Sequence, residues 1–188
     1  MIRIIAGKHK NRIIKTKKSS NYRPSTGKFR EAIFSILTSG EYLDNLVLID
    51  ARVLDVFAGT GSLAFEALSH GALSVTLIDN VQAHLQDAKN FAQIIGEENN
   101  VTTLCMDACA LPKALYPYDL VFMDPPYNLG LVEKALTSLV RSGWLKVGAL
   151  IVIEVPKTED IKPNSSMELL RQKTYGNNKL IMLKYKAI

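Results

Sequence analysis

At 188 residues the chain suits a single domain, and its 47% hydrophobic and 22% charged residues are the balance of a soluble globular protein with a real core. No apolar run approaches the roughly 18 residues of a membrane span, and the opening MIRIIAGKHK has no signal-peptide apolar core. Two cysteines, Cys105 and Cys109, are too few for a disulfide framework and, without a nearby histidine, a poor metal signal, so a reducing cytoplasm is the expected compartment. The net charge of +5 is placed unevenly: residues 1–30 hold ten Lys/Arg and no acid, while the rest of the chain has 13 basic residues against 18 acidic. That segment predicts a polyanionic partner, nucleic acid first and a membrane surface second.

In chain order, the β-branched runs 2–5 and 12–15 flank AGKHKN and read as a hairpin. Next, Phe29, Ala32, Ile33, Ile36 and Leu37 recur at helical spacing, with Ser25 or Thr26 as cap and Gly40 as stop. The polar face of this helix is expected to begin with Lys28 and Arg30. From about residue 51 the rhythm becomes strand then helix. Strands are predicted at 52–57, 74–79, 101–105, 119–124 and 148–154; helices at 62–70, 81–95, 109–115 and 129–141. Near-continuous apolar strands alternating with helices predict an α/β fold with a mostly parallel, doubly covered sheet. Runs 166–175 and 179–186, joined at GNN, read as a closing antiparallel pair. Cys105 is expected to face the core and Cys109 to open a helix.

The segment DVFAGTGSLAFEAL passes from a buried strand through Gly59-Thr60-Gly61 into a helix. Glycines there permit close backbone approach to a ligand. With Ala64, the loop also meets the dinucleotide fingerprint G-x-G-x-x-G/A, and Asp79 ends the next strand where an acid typically binds ribose hydroxyls. A nicotinamide oxidoreductase is therefore an alternative on this motif. Three features favour a nucleoside without a pyrophosphate. Asp55, four residues before Gly59, would repel phosphate but attract a cationic amino acid or sulfonium. Asp79-Asn80 offers ribose contacts, and Asp107 beside Ala108 could hold an adenine amino group. Each acid could instead cap a helix. All fall at strand carboxyl ends, where open α/β sheets bind ligands, and together they fit S-adenosylmethionine better than NAD.

The fourth strand delivers Asp124-Pro125-Pro126-Tyr127 to the same edge. Two prolines remove backbone donors and leave carbonyl acceptors. A carboxylate beside a carbonyl suits the two hydrogens of a planar amine, and Tyr127 offers a face for an unstacked base, worth about 1–3 kcal/mol. The motif therefore predicts chemistry on an exocyclic amine nitrogen.

The pairing of DVFAGTGSLAFEAL with DPPYNLG resembles the class I S-adenosylmethionine-dependent amino-methyltransferases. The segments RIIAGKHKNR and RPSTGKFREAIFSIL resemble the start of the RsmD-type enzymes, which methylate guanine N2 in bacterial small-subunit (16S) ribosomal RNA. The resemblance runs from Arg3 to the closing strand pair. It implies a Rossmann-like fold of seven strands, carrying a basic hairpin-plus-helix extension (residues 1–40) on a methyltransferase domain (residues 41–188). Asp55, Phe57, Ala58, Gly59, Thr60, Gly61, Asp79, Asn80, Asp107 and Ala108 would meet the cofactor, and Asp124, Pro125, Pro126 and Tyr127 would form the catalytic tetrad. Arg3, Lys8, Lys10, Arg12, Arg23, Thr26 and Arg30 would contact ribosomal RNA, within the small subunit, in a monomer without metal or membrane. Asp79 stands where the family usually has Glu, Gly27 where an Asp is common and Val81 where an acid is often found.

Two further readings share these residues. A DNA adenine-N6 methylase would use the same tetrad but needs a target-recognition domain this chain has no room for. A non-catalytic RNA-binding or assembly factor would have no need of an intact glycine loop and tetrad.

Overall fold

The computed structural model describes residues 2–15, 27–39, 48–126 and 130–187. The expected helix cap at Ser25 or Thr26 and stop at Gly40 lie outside these residues, as do Arg23 and Tyr127.

Two short strands, β1 (Ile2–Arg3) and β2 (Ile13–Ile14), pair antiparallel. Helix α1 (Gly27–Ser39) follows. The body then alternates: β3 (Arg52–Val56), α2 (Ser62–Ser69), β4 (Ser74–Asp79), α3 (Gln82–Ile95), β5 (Val101–Cys105), β6 (Tyr118–Met123), α4 (Leu131–Arg141) and β7 (Leu145–Pro156). The hairpin β8 (Met167–Tyr175) and β9 (Asn178–Tyr185) closes the chain. The sheet order is β5-β4-β3-β6-β7-β9-β8. Strands β3 to β7 pair parallel, and β9 runs antiparallel between β7 and β8. The expected Rossmann-like architecture is present. Its chain order reverses between β3 and β6, and at such a switch point the carboxyl ends of the strands leave a crevice.

Each strand residue alternates between two apolar layers, as the two-residue period of a strand requires. One layer gathers Val53, Leu77, Phe122 and Val152 with Phe65 of α2, Phe91 of α3 and Phe34 of α1. The other joins Leu54, Val121 and Ile151 to Leu136 and Leu139 of α4 and to Trp144. Ile2, Ile4 and Ile14 of the hairpin pack into the first layer together with Phe29, Ile33 and Leu37 of α1. Burial on both faces is why these strands read as continuous apolar runs.

The differences from the sequence reading are local. Strand β6 ends at Met123, so Asp124 stands just past it rather than closing the strand. The helix expected at 109–115 is only a 3-10 turn, Ala108–Ala110. Pro112 follows two residues on and would break a longer helix. Cys105 is exposed rather than core-facing. Arg30, expected on the polar face of α1, is buried and donates from its guanidinium to the Arg3 carbonyl at 3.0 Å. No helix among the described residues is long and apolar enough to cross a membrane.

Candidate active site at the carboxyl edge of the sheet

The β3–α2 connection folds back on itself within five residues. Phe57, Gly59 and Gly61 all have left-handed backbone, with φ of 65°, 53° and 78°. For Phe57 that conformation is uncommon in a residue with a Cβ, and such backbone gathers at ligand clamps. A Cβ on Gly61 would lie 2.3 Å from Leu77 Cδ2 and 3.1 Å from Phe65 Cε2, so only glycine lets α2 start so close to β4. Asp55, 2% exposed, accepts the Ala64 amide at 3.1 Å and thereby satisfies an open donor of the first turn of α2. Burial holds its carboxyl well above the usual carboxylate range. The Ala64 hydrogen bond pulls it back down, and the charges of Asp124 and Asp79 push it further up. An acid so placed favours a cation beside it. Thr60 is buried too, and its Oγ1 finds no hydrogen-bond partner among the described residues.

Asp79, at the end of β4, is used twice by the backbone. Its Oδ2 accepts the Gly59 amide at 2.7 Å and its Oδ1 accepts the Val81 amide at 2.8 Å. The Nδ1 atom of His84, on the first turn of α3, lies 3.4 Å from Oδ1. This carboxylate therefore fixes the glycine loop as well as lining the edge. Asn80 beside it is exposed. After β5, Asp107 caps the 3-10 turn by accepting the Cys109 amide at 2.8 Å, and Ala108 behind it is buried.

Asp124 and Pro125 follow directly on β6, where Met123 is level with Val56 of β3 and with Ile153 of β7. Asp124 is half-buried, Pro125 is buried and Pro126 is exposed. Asp55, Asp79 and Asp124 thus gather at one edge of the sheet, close enough for their charges to act together on Asp55. Glu154 comes next to this group on β7, buried, and its carboxylate accepts from the Asn178 amide.

The chemistry of these donors fits a sulfonium nucleoside. A buried acid favours a cation, and an orphaned Thr60 hydroxyl and a glycine turn await polar atoms of a ligand. Leaving such a hydroxyl unsatisfied costs about 1–3 kcal/mol.

The basic segment is held on the opposite flank of α2. Arg3, Lys8, Lys10 and Arg12 are exposed, whereas Arg30 is not. Behind them Glu66, completely buried, accepts the amides of Ile5 and Ala6 at 2.9 Å each, and Ser69 Oγ donates to the Ala6 carbonyl. Ser69 in turn accepts the His9 amide at 2.9 Å on Oγ and the Lys8 amide at 2.8 Å on its carbonyl. Glu97 contacts both Lys8 Nζ and His9 Nε2 at 2.7 Å. Hydrogen bonds from Lys8, Asn100 and His9 and the charge of Lys8 outweigh burial and lower its carboxyl to about 2. Sequence reasoning passed over Glu66, Ser69 and Glu97. The available signal was Glu66 itself, a lone acid amid the apolar residues of SLAFEALS, since an acid buried in an apolar helix needs donors from elsewhere.

Comparison with known proteins places these features in a family. The family described as Conserved hypothetical protein 95 matches residues 2–184. An uncharacterized methylase of Rickettsia prowazekii is 39% identical over 100% of this chain and 99% of its own. The ribosomal RNA small subunit methyltransferase D of Haemophilus influenzae is 31% identical over 93% of this chain and 89% of its own. The solved structure of the yhhF protein of Escherichia coli covers 100% of this chain and 99% of its own, with a TM-score of 0.83 and 31% identity. The match extends from the N-terminal hairpin through the glycine turn to the closing strands, and on that basis the chain belongs to the RsmD-type methyltransferase family.

Proposed function

We propose that this protein transfers a methyl group to the exocyclic N2 of a guanine in small-subunit (16S) ribosomal RNA, with S-adenosylmethionine as donor, in the bacterial cytoplasm. The observation that carries the reading is the meeting of Asp55, Asp79 and Asp124 with the glycine turn at one sheet edge. The names of the relatives support ribosomal RNA as the substrate class.

Asp55, Phe57, Ala58, Gly59, Thr60 and Gly61 would hold the methionine portion, Asp79 and Asn80 the ribose, and Asp107 and Ala108 the adenine. When bound, S-adenosylmethionine supplies an electrophilic methyl on a sulfonium. The rest is done by the chain. A guanine N2 is a poor nucleophile because its lone pair delocalises into the ring. The Asp124 carboxylate and the Pro125 carbonyl would accept its two hydrogens and favour a more tetrahedral nitrogen, with Pro126 stiffening the turn and Tyr127 stacking on the base. One N–H proton leaves after the new N–C bond has formed, so no strong base is required. Positioning and charge complementarity supply the rate. The splayed base costs a few kcal/mol to extract from its stack unless it already lies in a loop. Arg3, Lys8, Lys10 and Arg12, joined by Arg23 and Thr26, would hold the RNA through phosphate contacts. Arg30 would serve the same arm from beneath, through its hydrogen bond to the Arg3 carbonyl. Residues 1–40 would then act as the RNA-binding part and 41–188 as the methyl-transfer part, in a monomer without metal.

The test is methyl transfer from labelled S-adenosylmethionine to small ribosomal subunits, naked RNA and duplex DNA, with nucleoside analysis. N2-methylguanosine is expected from the ribosomal substrate. Asp124→Asn should lower kcat about a hundredfold or more, the scale of losing a transition-state contact, with cofactor affinity retained. Label in N6-methyladenine, or unchanged turnover by Asp124→Asn, would reject the reading.

A further inference from the structure

The basic arm is built into the same short helix that begins at the glycine turn. Residues 5–9 make main-chain hydrogen bonds to Glu66 and Ser69, on the last turn of α2, while Asp55 holds the first turn of α2 through Ala64. The closeness is extreme at Gly7: its φ is +79°, and a Cβ there would lie 1.8 Å from the Ser69 carbonyl oxygen. Only a glycine lets the arm touch the helix. From the turn after α3 comes the second hold, Glu97 on Lys8 and His9. The helix is pinned to α1 as well, where His70 stacks on Phe34 with ring centres 5.2 Å apart.

We propose that Glu66, Ser69 and Glu97 form a socket that docks residues 5–9 as a preformed element, so that α2 sets a fixed distance between the RNA phosphates and the transferred methyl. These are positioning residues: they touch neither RNA nor cofactor and act through Arg3, Lys10 and Arg12. The inference rests on the reading of the arm as an RNA surface. Eight helical residues span about 12 Å, and both ends of that span are fixed by buried groups. An arm left undocked would have to be ordered at each encounter. If it were docked only a tenth of the time, apparent RNA affinity would fall about tenfold.

Three variants separate the socket from the surface it carries. Gly7→Ala puts a methyl against the Ser69 carbonyl and so disfavours docking of residues 5–9, while the flanking Ile2, Ile4 and Ile14 keep the hairpin anchored in the core. Glu66→Gln replaces one acceptor oxygen with a donor. The triple change Arg3→Gln, Lys10→Gln and Arg12→Gln removes charge and leaves the socket. Each is measured for RNA affinity, cofactor affinity, methyl transfer to small subunits and hydrogen exchange of the Ile5, Ala6, Lys8 and His9 amides. Expected for Gly7→Ala and Glu66→Gln are fast exchange of those amides, about tenfold weaker RNA binding and cofactor affinity within twofold of wild type, since cofactor binding reports a folded body. If Gly7→Ala frees the amides yet RNA affinity and turnover hold while the triple variant loses RNA, the socket proposal is overturned and the RNA surface stands. If the triple variant also binds RNA normally, the RNA reading of the arm falls with it.

Discussion

Asp55 carries the sharpest conflict between folding and chemistry. An acid whose carboxyl is raised by burial is more easily kept protonated in the fold than in the unfolded chain, so it costs stability as pH climbs from its ordinary 3.8 through its folded value. Asn keeps an oxygen for the Ala64 amide and carries no charge. Asp55→Asn should therefore melt no lower than wild type by calorimetry at neutral pH, while binding of a sulfonium nucleoside weakens at least tenfold, about 1.4 kcal/mol, by titration calorimetry. A lower melting temperature would show that the carboxylate is structural. At this scale the sequence was legible where a residue's neighbours in the chain define its surroundings. Asp55, Gly59 and Asp79 all stand where strand ends and glycine spacing put them. Arg30 was not legible, because its burial is decided by the carbonyl of Arg3 on another element.

Elements were legible wherever an apolar run had clear stops. Strands β4 and β5 match their expected bounds, since each is bordered by turn residues, although only β4 is buried along most of its length and β5 is partly exposed. The 109–115 helix failed because apolar spacing alone ignores Pro112. Helix α2 is the element on which both candidate functions depend, and its packing is testable. Phe65 lies fully buried under the glycine turn and meets Phe91 of α3 edge-on, with ring centres 4.7 Å apart. Phe65→Ala should cost about 3–5 kcal/mol in denaturant unfolding. It should also loosen Gly61, whose missing Cβ faces that ring, so cofactor affinity should fall with stability. Stability loss with unchanged cofactor affinity would mean that the turn holds itself.

For the whole molecule, charge is divided between two flanks of α2: acids at the strand ends and bases on the arm. The Glu97 carboxyl, lowered from 4.5 to about 2, adds stability that is fully present above pH 4.5 and lost as pH falls towards 2. Glu97→Gln should therefore flatten the acid limb of the stability curve between those values and leave the neutral region's slope unchanged; an unaltered acid limb would contradict the hold on Lys8 and His9. Salt should act on RNA alone. Each arm cation that meets a phosphate contributes about 0.7 to the slope of log affinity against log salt for single-stranded RNA, so the triple arm variant should lose about two from that slope. The division of charge was readable from the first 30 residues, but the means of attachment was not. It needed a carboxylate some sixty positions away to find two amides.

The double use of α2 has a consequence for how this segment can vary through evolution. One residue inserted between Gly61 and Glu66 would rotate the far end of the helix by about 100° and advance it about 1.5 Å. Glu66 would then swing out from under Ile5 and Ala6 while the glycine turn stayed in place. Both the buried side chains and the length of this interval are therefore constrained. Gaps in alignments of working relatives should fall before the turn or beyond Gly71, and leave the interval between Gly61 and Ser69 at constant length.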